Sequence, residues 1–117
     1  MAEKSVLLKN TVFPRYVWEN LENGDTAEIV SSPQQLPLAG SIQVTGTFGG
    51  ATASVEASHD GDNWFPLVGL TSAEIGLEEP GLVEFSSSAL YFRPKLTGGG
   101  GSTDIVVSMV FRGNHAL

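Results

Sequence analysis

Apolar and polar residues alternate through the middle of the chain. In residues 41–48, every second side chain is apolar or glycine, as in a β-strand with one buried face. Residues 51–58 alternate in the opposite phase, and the Gly-Gly pair at 49–50 suits the positive φ angles of a tight turn. Folding the two runs together matches every pair in polarity, with Val44 opposite Val55. The pattern predicts a hairpin in this register.

The rest of the chain shows similar short runs, separated by Gly, Pro, Asp and Asn. They predict further strands at 6–9, 24–31, 64–70, 82–86, 89–96 and 104–111. One possible hairpin pairs Leu96 with Ile105 and Phe92 with Met109, and other registers remain open. We expect an all-β fold: an antiparallel β-sandwich, jelly-roll or immunoglobulin-like, with about 7–9 short strands.

The first 24 residues differ from the rest. They are interpreted as an N-terminal arm or a first strand, with the β-sandwich domain over residues 25–117. This segment holds half of the six basic residues of the chain together with several large aromatic side chains. An arm of this composition would dock on a separate surface. Its candidate contact residues are Phe13, Arg15, Tyr16 and Trp18.

A second candidate contact surface lies on the strand predicted at 89–96. Its polar face carries Tyr91, Arg93 and Lys95, including two of the six positive charges. This face is either a solvated sheet surface or a contact surface. If that strand pairs with residues 104–111 as above, this face would lie near Val106, Ser108 and Val110.

Length and charge limit the classes of function. The 117 residues suit one domain. Thirteen acidic residues against six basic ones give a net charge of −7, which argues against binding to nucleic acid or to an anionic membrane. The chain has no cysteine, as expected for folding in a reducing cytoplasm, and no apolar run of membrane-spanning length.

Three stretches raise the question of chemistry. Asp60, Asp62 and Asn63 offer oxygen atoms that calcium would accept, but turn closure by Asp60 and Asn63 explains them better, and Trp64 is expected to enter the core after this turn. The glycines at 98–101 lack the lysine of a phosphate-binding loop and read as a hairpin tip. No serine lies in a nucleophile motif. We therefore expect no catalytic residue, no metal and no cofactor.

Several short motifs follow one another in two stretches, VTGTFGGATASVEASHDGDNWFPL and LYFRPKLTGGGGSTDIVVSMVFR. Their order is Gly-Gly-Ala, Ser-x-Asp-Gly-x-Asn-Trp, Tyr-x-Arg-Pro and Thr-Gly-Gly. The matching residues are Gly49, Gly50, Ala51, Ser58, Asp60, Gly61, Asn63, Trp64, Tyr91, Arg93, Pro94, Thr97, Gly98 and Gly99. In these motifs, residues 41–112 resemble small β-sandwich virion structural proteins of tailed bacteriophages, of the capsid decoration or cement type.

The resemblance implies a structural protein rather than an enzyme. Such proteins sit on the outer capsid surface of the virion, assembled in the host cytoplasm, where they contact the major capsid protein and one another, typically as homotrimers. Two alternatives stay open: a phage tail component, and a carbohydrate-binding host-attachment module. The second alternative requires exposed aromatic side chains on one face, for which Tyr91 and Trp18 are the candidates.

Overall fold

The computed structural model of the chain describes residues 3–10, 14–31 and 38–113, which contain eleven β-strands and no helix. The strands are β1 (Glu3–Lys4), β2 (Val6–Asn10), β3 (Arg15–Leu21), β4 (Thr26–Ala27), β5 (Val30–Ser31), β6 (Leu38–Thr47), β7 (Ala51–Ser58), β8 (Phe65–Pro66), β9 (Gly81–Ser87), β10 (Tyr91–Gly98) and β11 (Asp104–Gly113). The number exceeds the predicted seven to nine because the strand predicted at 24–31 is divided into β4 and β5, and because β1 and β3 lie outside the predicted runs.

Two antiparallel sheets contain nine of these strands. The larger has the order β2-β3-β11-β6-β9 and the smaller the order β5-β10-β7-β8, while β1 and β4 form a short parallel pair. Their inward faces share one core, so the predicted antiparallel β-sandwich is confirmed. Strands β2 and β9 form the two opposite edges of the five-stranded sheet.

Three phenylalanines hold the sheets together. Phe85 and Phe111 of the five-stranded sheet and Phe92 of the four-stranded sheet are at most 1% exposed. Their ring centroids lie between 5.2 and 6.1 Å apart, which is the usual range for packed aromatic pairs. Burial of each side chain contributes about 1.5–3 kcal/mol to folding. This packing holds the two sheets in a fixed arrangement.

The turn predicted at 49–50 is present, but the prediction that the strands on either side of it pair with each other is wrong. Gly49 and Gly50 have φ angles of 57° and 90°, and the amide of Ala51 donates to the carbonyl of Phe48 at 2.9 Å. Beyond this turn, β6 pairs with β11 and β9, whereas β7 pairs with β10 and β8 in the other sheet. Both strands bury the same alternate residues because they face each other across the core, so matching polarity does not distinguish this arrangement from a hairpin.

The hairpin that paired Leu96 with Ile105 and Phe92 with Met109 is wrong for the same reason. Leu96 lies opposite Ala53 of β7, while Ile105 lies opposite residues of β3 and β6. The glycine-rich segment between β10 and β11 therefore crosses from one sheet to the other. It is a connection between sheets rather than a hairpin tip.

The N-terminal segment contributes to the five-stranded sheet through β2 and β3. Trp18 of β3 has no exposed surface, and its indole Nε1 donates to the carbonyl of Glu28 at 3.0 Å. Leu21 is also in the core, at 2% exposure. Of the two interpretations of this segment, an arm or a first strand, the structure agrees with the strand for residues 15–21.

Candidate functional site

The aromatic contact candidates of the N-terminal segment face inward. Trp18 is fully buried, which excludes it as a surface contact. Tyr16 is half-buried and packs edge-on against Phe111, with ring centroids 5.7 Å apart. Phe13 lies outside the described residues. The prediction that these rings anchor the chain on a partner is wrong for Trp18. Tyr16 is partly buried and packs against the core.

Arg15 is the N-terminal candidate that the structure places on the surface. It is exposed at the start of β3, and its Nε donates to the hydroxyl of Ser108 at 2.9 Å. Ser108 belongs to the neighbouring strand β11 and is only 5% exposed. The guanidinium thus lies across the outer face of the five-stranded sheet and adds a positive charge there.

Tyr91, Arg93 and Lys95 share the outer face of β10, as alternation predicted, but their neighbour is β7 rather than β11. Arg93 Nε lies 3.1 Å from Oε1 of Glu56, and Lys95 Nζ lies 3.5 Å from Oε2 of the same carboxylate. The side chain of Glu56 is 12% exposed. Both cations are therefore already paired within the sheet, which weakens their candidacy as contacts for an acidic partner.

Trp64 lies over this charged face instead of entering the core, so that expectation is wrong. The guanidinium carbon of Arg93 is 4.1 Å from the centroid of the Trp64 ring, a cation–π contact. The indole Nε1 donates to the carbonyl of Gly61 at 3.2 Å, and the residue is half-buried. The indole is held in place by the turn before it and by the strand beneath it.

The turn before Trp64 is closed by Asp60, as predicted. Oδ1 of Asp60 accepts the backbone amides of Asp62 and Asn63 at 2.9 and 2.8 Å and the hydroxyl of Ser58 at 3.0 Å. Oδ2 accepts the side-chain amide of Asn63 at 2.7 Å. These donors, led by the backbone amide of Asn63, lower the pKa of Asp60 well below its usual range. The carboxylate oxygens that would bind calcium are thus engaged in holding the turn.

Large exposed apolar side chains mark surfaces that the sequence pattern did not reveal. At one end of the sandwich, Phe65 is 67% exposed and Leu90 is 52% exposed. A groove of about 320 Å³ adjoins Phe65 and is also lined by His59 and Ala89. We call the surface formed by His59, Phe65, Ala89 and Leu90 the apolar end. A two-residue strand such as β8 is too short for periodicity to show which of its side chains are exposed.

Two more apolar surfaces lie on opposite edges of the five-stranded sheet. Leu7 and Leu8 of β2 are 40% and 53% exposed. Leu70 and Leu82 are 62% and 57% exposed and line a groove of about 510 Å³ beside β9. We call the first surface the β2 edge, formed by Leu7, Leu8 and Lys9. We call the second the β9 edge, formed by Leu70, Glu74, Leu82 and Glu84.

Within the described ranges, no group of three or more histidine, aspartate or glutamate side chains is arranged to hold a metal ion. Nor do those ranges contain a helix long and apolar enough to cross a membrane. No protein family, curated protein or solved structure matches the chain. A functional proposal must therefore rest on the surfaces described above and on the motifs in the sequence.

Proposed function

We propose that this chain is a bacteriophage structural protein that decorates and stabilises the outer capsid surface. Its partners are the major capsid protein and further copies of itself, in a homotrimer. The observation that carries the proposal is the apolar end, where Phe65 and Leu90 are more than half exposed on a well-packed domain. Large apolar side chains grouped on a folded surface are typical of protein contact sites.

The apolar end has the form of a docking site for protein. Leu90 is held close to β7, since its amide donates to the carbonyl of Ser58 at 3.1 Å. Ser58 in turn accepts the amides of Asp60 and Gly61 through its hydroxyl, at 3.2 and 2.9 Å. The backbone around Phe65 and Leu90 is thus fixed by hydrogen bonds, so binding would cost little ordering of loops.

Because many copies of the protein bind one capsid, a small contact surface on each copy is sufficient for stable attachment. Each apolar end buries only a few large side chains, which gives modest affinity for a single site. A trimer that engages several capsid subunits at once gains from the high effective concentration of its second and third contacts. The resemblance of the sequence motifs to those of virion structural proteins supports the same function.

A carbohydrate-binding module has less support. The pair of aromatic rings that suggested it was Tyr91 with Trp18, and Trp18 is fully buried. The other indole, Trp64, has one face beneath the guanidinium of Arg93 at 4.1 Å. Tyr91 alone, half-buried on β10, is a small platform for a sugar ring.

Fractionation of virions tests the proposal. DNA-filled heads from the phage that encodes the chain are separated from tails, and the protein composition of each fraction is measured by mass spectrometry. We expect the chain in the head fraction, in a copy number that is a fixed ratio to the major capsid protein. Recovery in the tail fraction alone would support a tail component, and binding on a glycan array with no chain in heads would support host attachment.

A further inference from the structure

The five-stranded sheet ends in two edges that complement each other. The β2 edge presents two leucines and the exposed cation Lys9. The β9 edge presents two leucines and the carboxylates of Glu74 and Glu84. Neither Glu74 nor Glu84 forms an ion pair with any described residue. Beside its leucines the β2 edge thus carries Lys9, with the carboxylate of Glu28 already bound to the amide of Val6 at 2.8 Å. The β9 edge carries two carboxylates, and Arg112 lines a second groove with Leu70 and Glu84.

The strand register places the matching groups at the same height on the sheet. One row of partners runs from Leu7 of β2 across β3, β11 and β6 to Leu82 of β9. The next row runs from Leu8 to Val83, and the row after that runs from Asn10 of β2 to Glu84 of β9. Lys9 lies between these rows, in the irregular step of β2 between Leu8 and Asn10.

The two edge strands also run in the same direction, because four antiparallel pairings separate β2 from β9. The β9 edge of one copy can therefore be placed alongside the β2 edge of the next with both strands running in the same direction and at equal height. In that arrangement Leu82 meets Leu7, and Glu84 lies opposite Lys9.

We propose that the occupant of the β9 edge is the β2 edge of a second copy of this chain, in a head-to-tail contact. This inference deepens the proposed function, because it assigns the surface through which the copies on the capsid contact one another. A contact of this kind closes into a ring when the rotation between copies allows it.

Charge selects the head-to-tail contact over the two symmetric ones. A pair of β9 edges would place Glu74 and Glu84 against the same carboxylates of the other copy. A pair of β2 edges would leave Glu74 and Glu84 unused, and the carboxylate of Glu28 at that edge is already bound to the amide of Val6 at 2.8 Å. Like charges placed together at an interface are unfavourable, whereas the head-to-tail arrangement pairs opposite ones.

Side chains rather than a continuous sheet make this contact. The outward amide of Val6 on β2 already donates to Oε1 of Glu28 at 2.8 Å. On β9, the carbonyl of Glu84 already accepts the amide of Leu70 at 3.2 Å. Both edges thus have part of their backbone occupied, which limits unspecific addition of strands.

Charge exchange tests the inference in solution, without capsids. Mass is measured by light scattering on the purified chain at about 100 µM, a concentration that detects weak self-association. We expect a multiple of the 12.3 kDa monomer mass. Glu84→Lys and Lys9→Glu should each weaken association about ten-fold or more, because each places like charges together. The combined Lys9→Glu/Glu84→Lys variant should restore it.

Asp62→Lys is the matched control, since it makes the same charge change as Glu84→Lys at an exposed turn distant in the chain from both edges. Thermal melts check that every variant is folded. A monomeric parent chain, or a charge-exchanged variant that stays as weak as the single variants, would overturn the inference. Binding of a monomeric variant to heads would leave the capsid function standing, so the two proposals can fail separately.

Discussion

The hydroxyl of Thr103 donates a hydrogen bond of 2.9 Å to the carbonyl of Phe48. It also accepts the amide of Gly100 at 3.0 Å, and the residue is 2% exposed. Phe48 opens the turn from β6 to β7, and Gly100 lies in the segment from β10 to β11, so a single buried side chain joins two of the connections between the sheets. Two glycine-rich loops that are distant in sequence are thereby fixed to each other.

Removal of this hydroxyl should destabilise the sandwich. Thr103→Val keeps the shape of the side chain but leaves the amide of Gly100 without its partner and removes one of the two hydrogen bonds to the carbonyl of Phe48, which keeps the amide of Ala51. We expect a loss of about 2 kcal/mol or more in the free energy of unfolding, measured by denaturant titration. Thr103→Ser keeps the hydroxyl and serves as the control. Equal stabilities of the valine and serine variants would show that the bond contributes nothing.

The two turn glycines should respond differently to alanine. Both have positive φ, so each substitution strains the backbone by about 1 kcal/mol or more. A Cβ at Gly49 would also lie 2.8 Å from the Ser102 hydroxyl and 2.9 Å from that of Thr103, whereas a Cβ at Gly50 meets nothing within 4 Å. Gly49→Ala should therefore lower the melting temperature more than Gly50→Ala. The reverse order would contradict the described turn.

The buried position of Trp18 predicts a large cost for its truncation. Trp18→Ala leaves a cavity where β3 packs on the core and removes the bond to the carbonyl of Glu28, so we expect a loss of about 3–5 kcal/mol. Trp64→Ala is the matched control, because that indole is half-buried on the outer face. Denaturant titration compares the two. A Trp18 variant as stable as the Trp64 variant would revive the interpretation of a separate arm.

The turn of Asp60 predicts a dependence of stability on pH. Backbone amides, first that of Asn63, lower the pKa of Asp60 in the folded state, so the ionised carboxylate stabilises the fold above the unfolded pKa of about 4. This contribution is lost as the pH falls from there through the lower folded pKa. The stability difference between the parent and Asp60→Asn should shrink over that range. Asp62→Asn is the control, and a difference independent of pH would contradict the assignment.

The sequence predicts which side chains face the core far better than it predicts strand pairing. Val44 and Val55 are both buried as alternation required, at 2% and 1% exposure. Yet their strands lie in different sheets, because period-two patterning reports the direction of a side chain and not the identity of the neighbouring strand. The connections from β6 to β7 and from β10 to β11 pass from one sheet to the other, so local pairing was the wrong expectation for these strands.

The contact surfaces were harder still to predict. Trp18 was predicted to contact a partner because it is an aromatic residue in a segment without clear periodicity, but tertiary packing places it in the core. Phe65 resembles a core residue in the sequence, yet it lies on a short edge strand and is 67% exposed. Exposure at a sheet edge depends on which strands end the sheet, and that order is set by contacts between distant parts of the chain.

The proposed capsid function is tested most directly by binding of the purified chain to undecorated phage heads. We predict saturable binding that weakens at least ten-fold, a loss of about 1.4 kcal/mol per site, in the Phe65→Ser/Leu90→Ser variant. Ile29→Ser, which removes another exposed apolar side chain at 40% exposure, should bind as the parent does. A folded parent chain that fails to bind heads at about 10 µM would contradict the account.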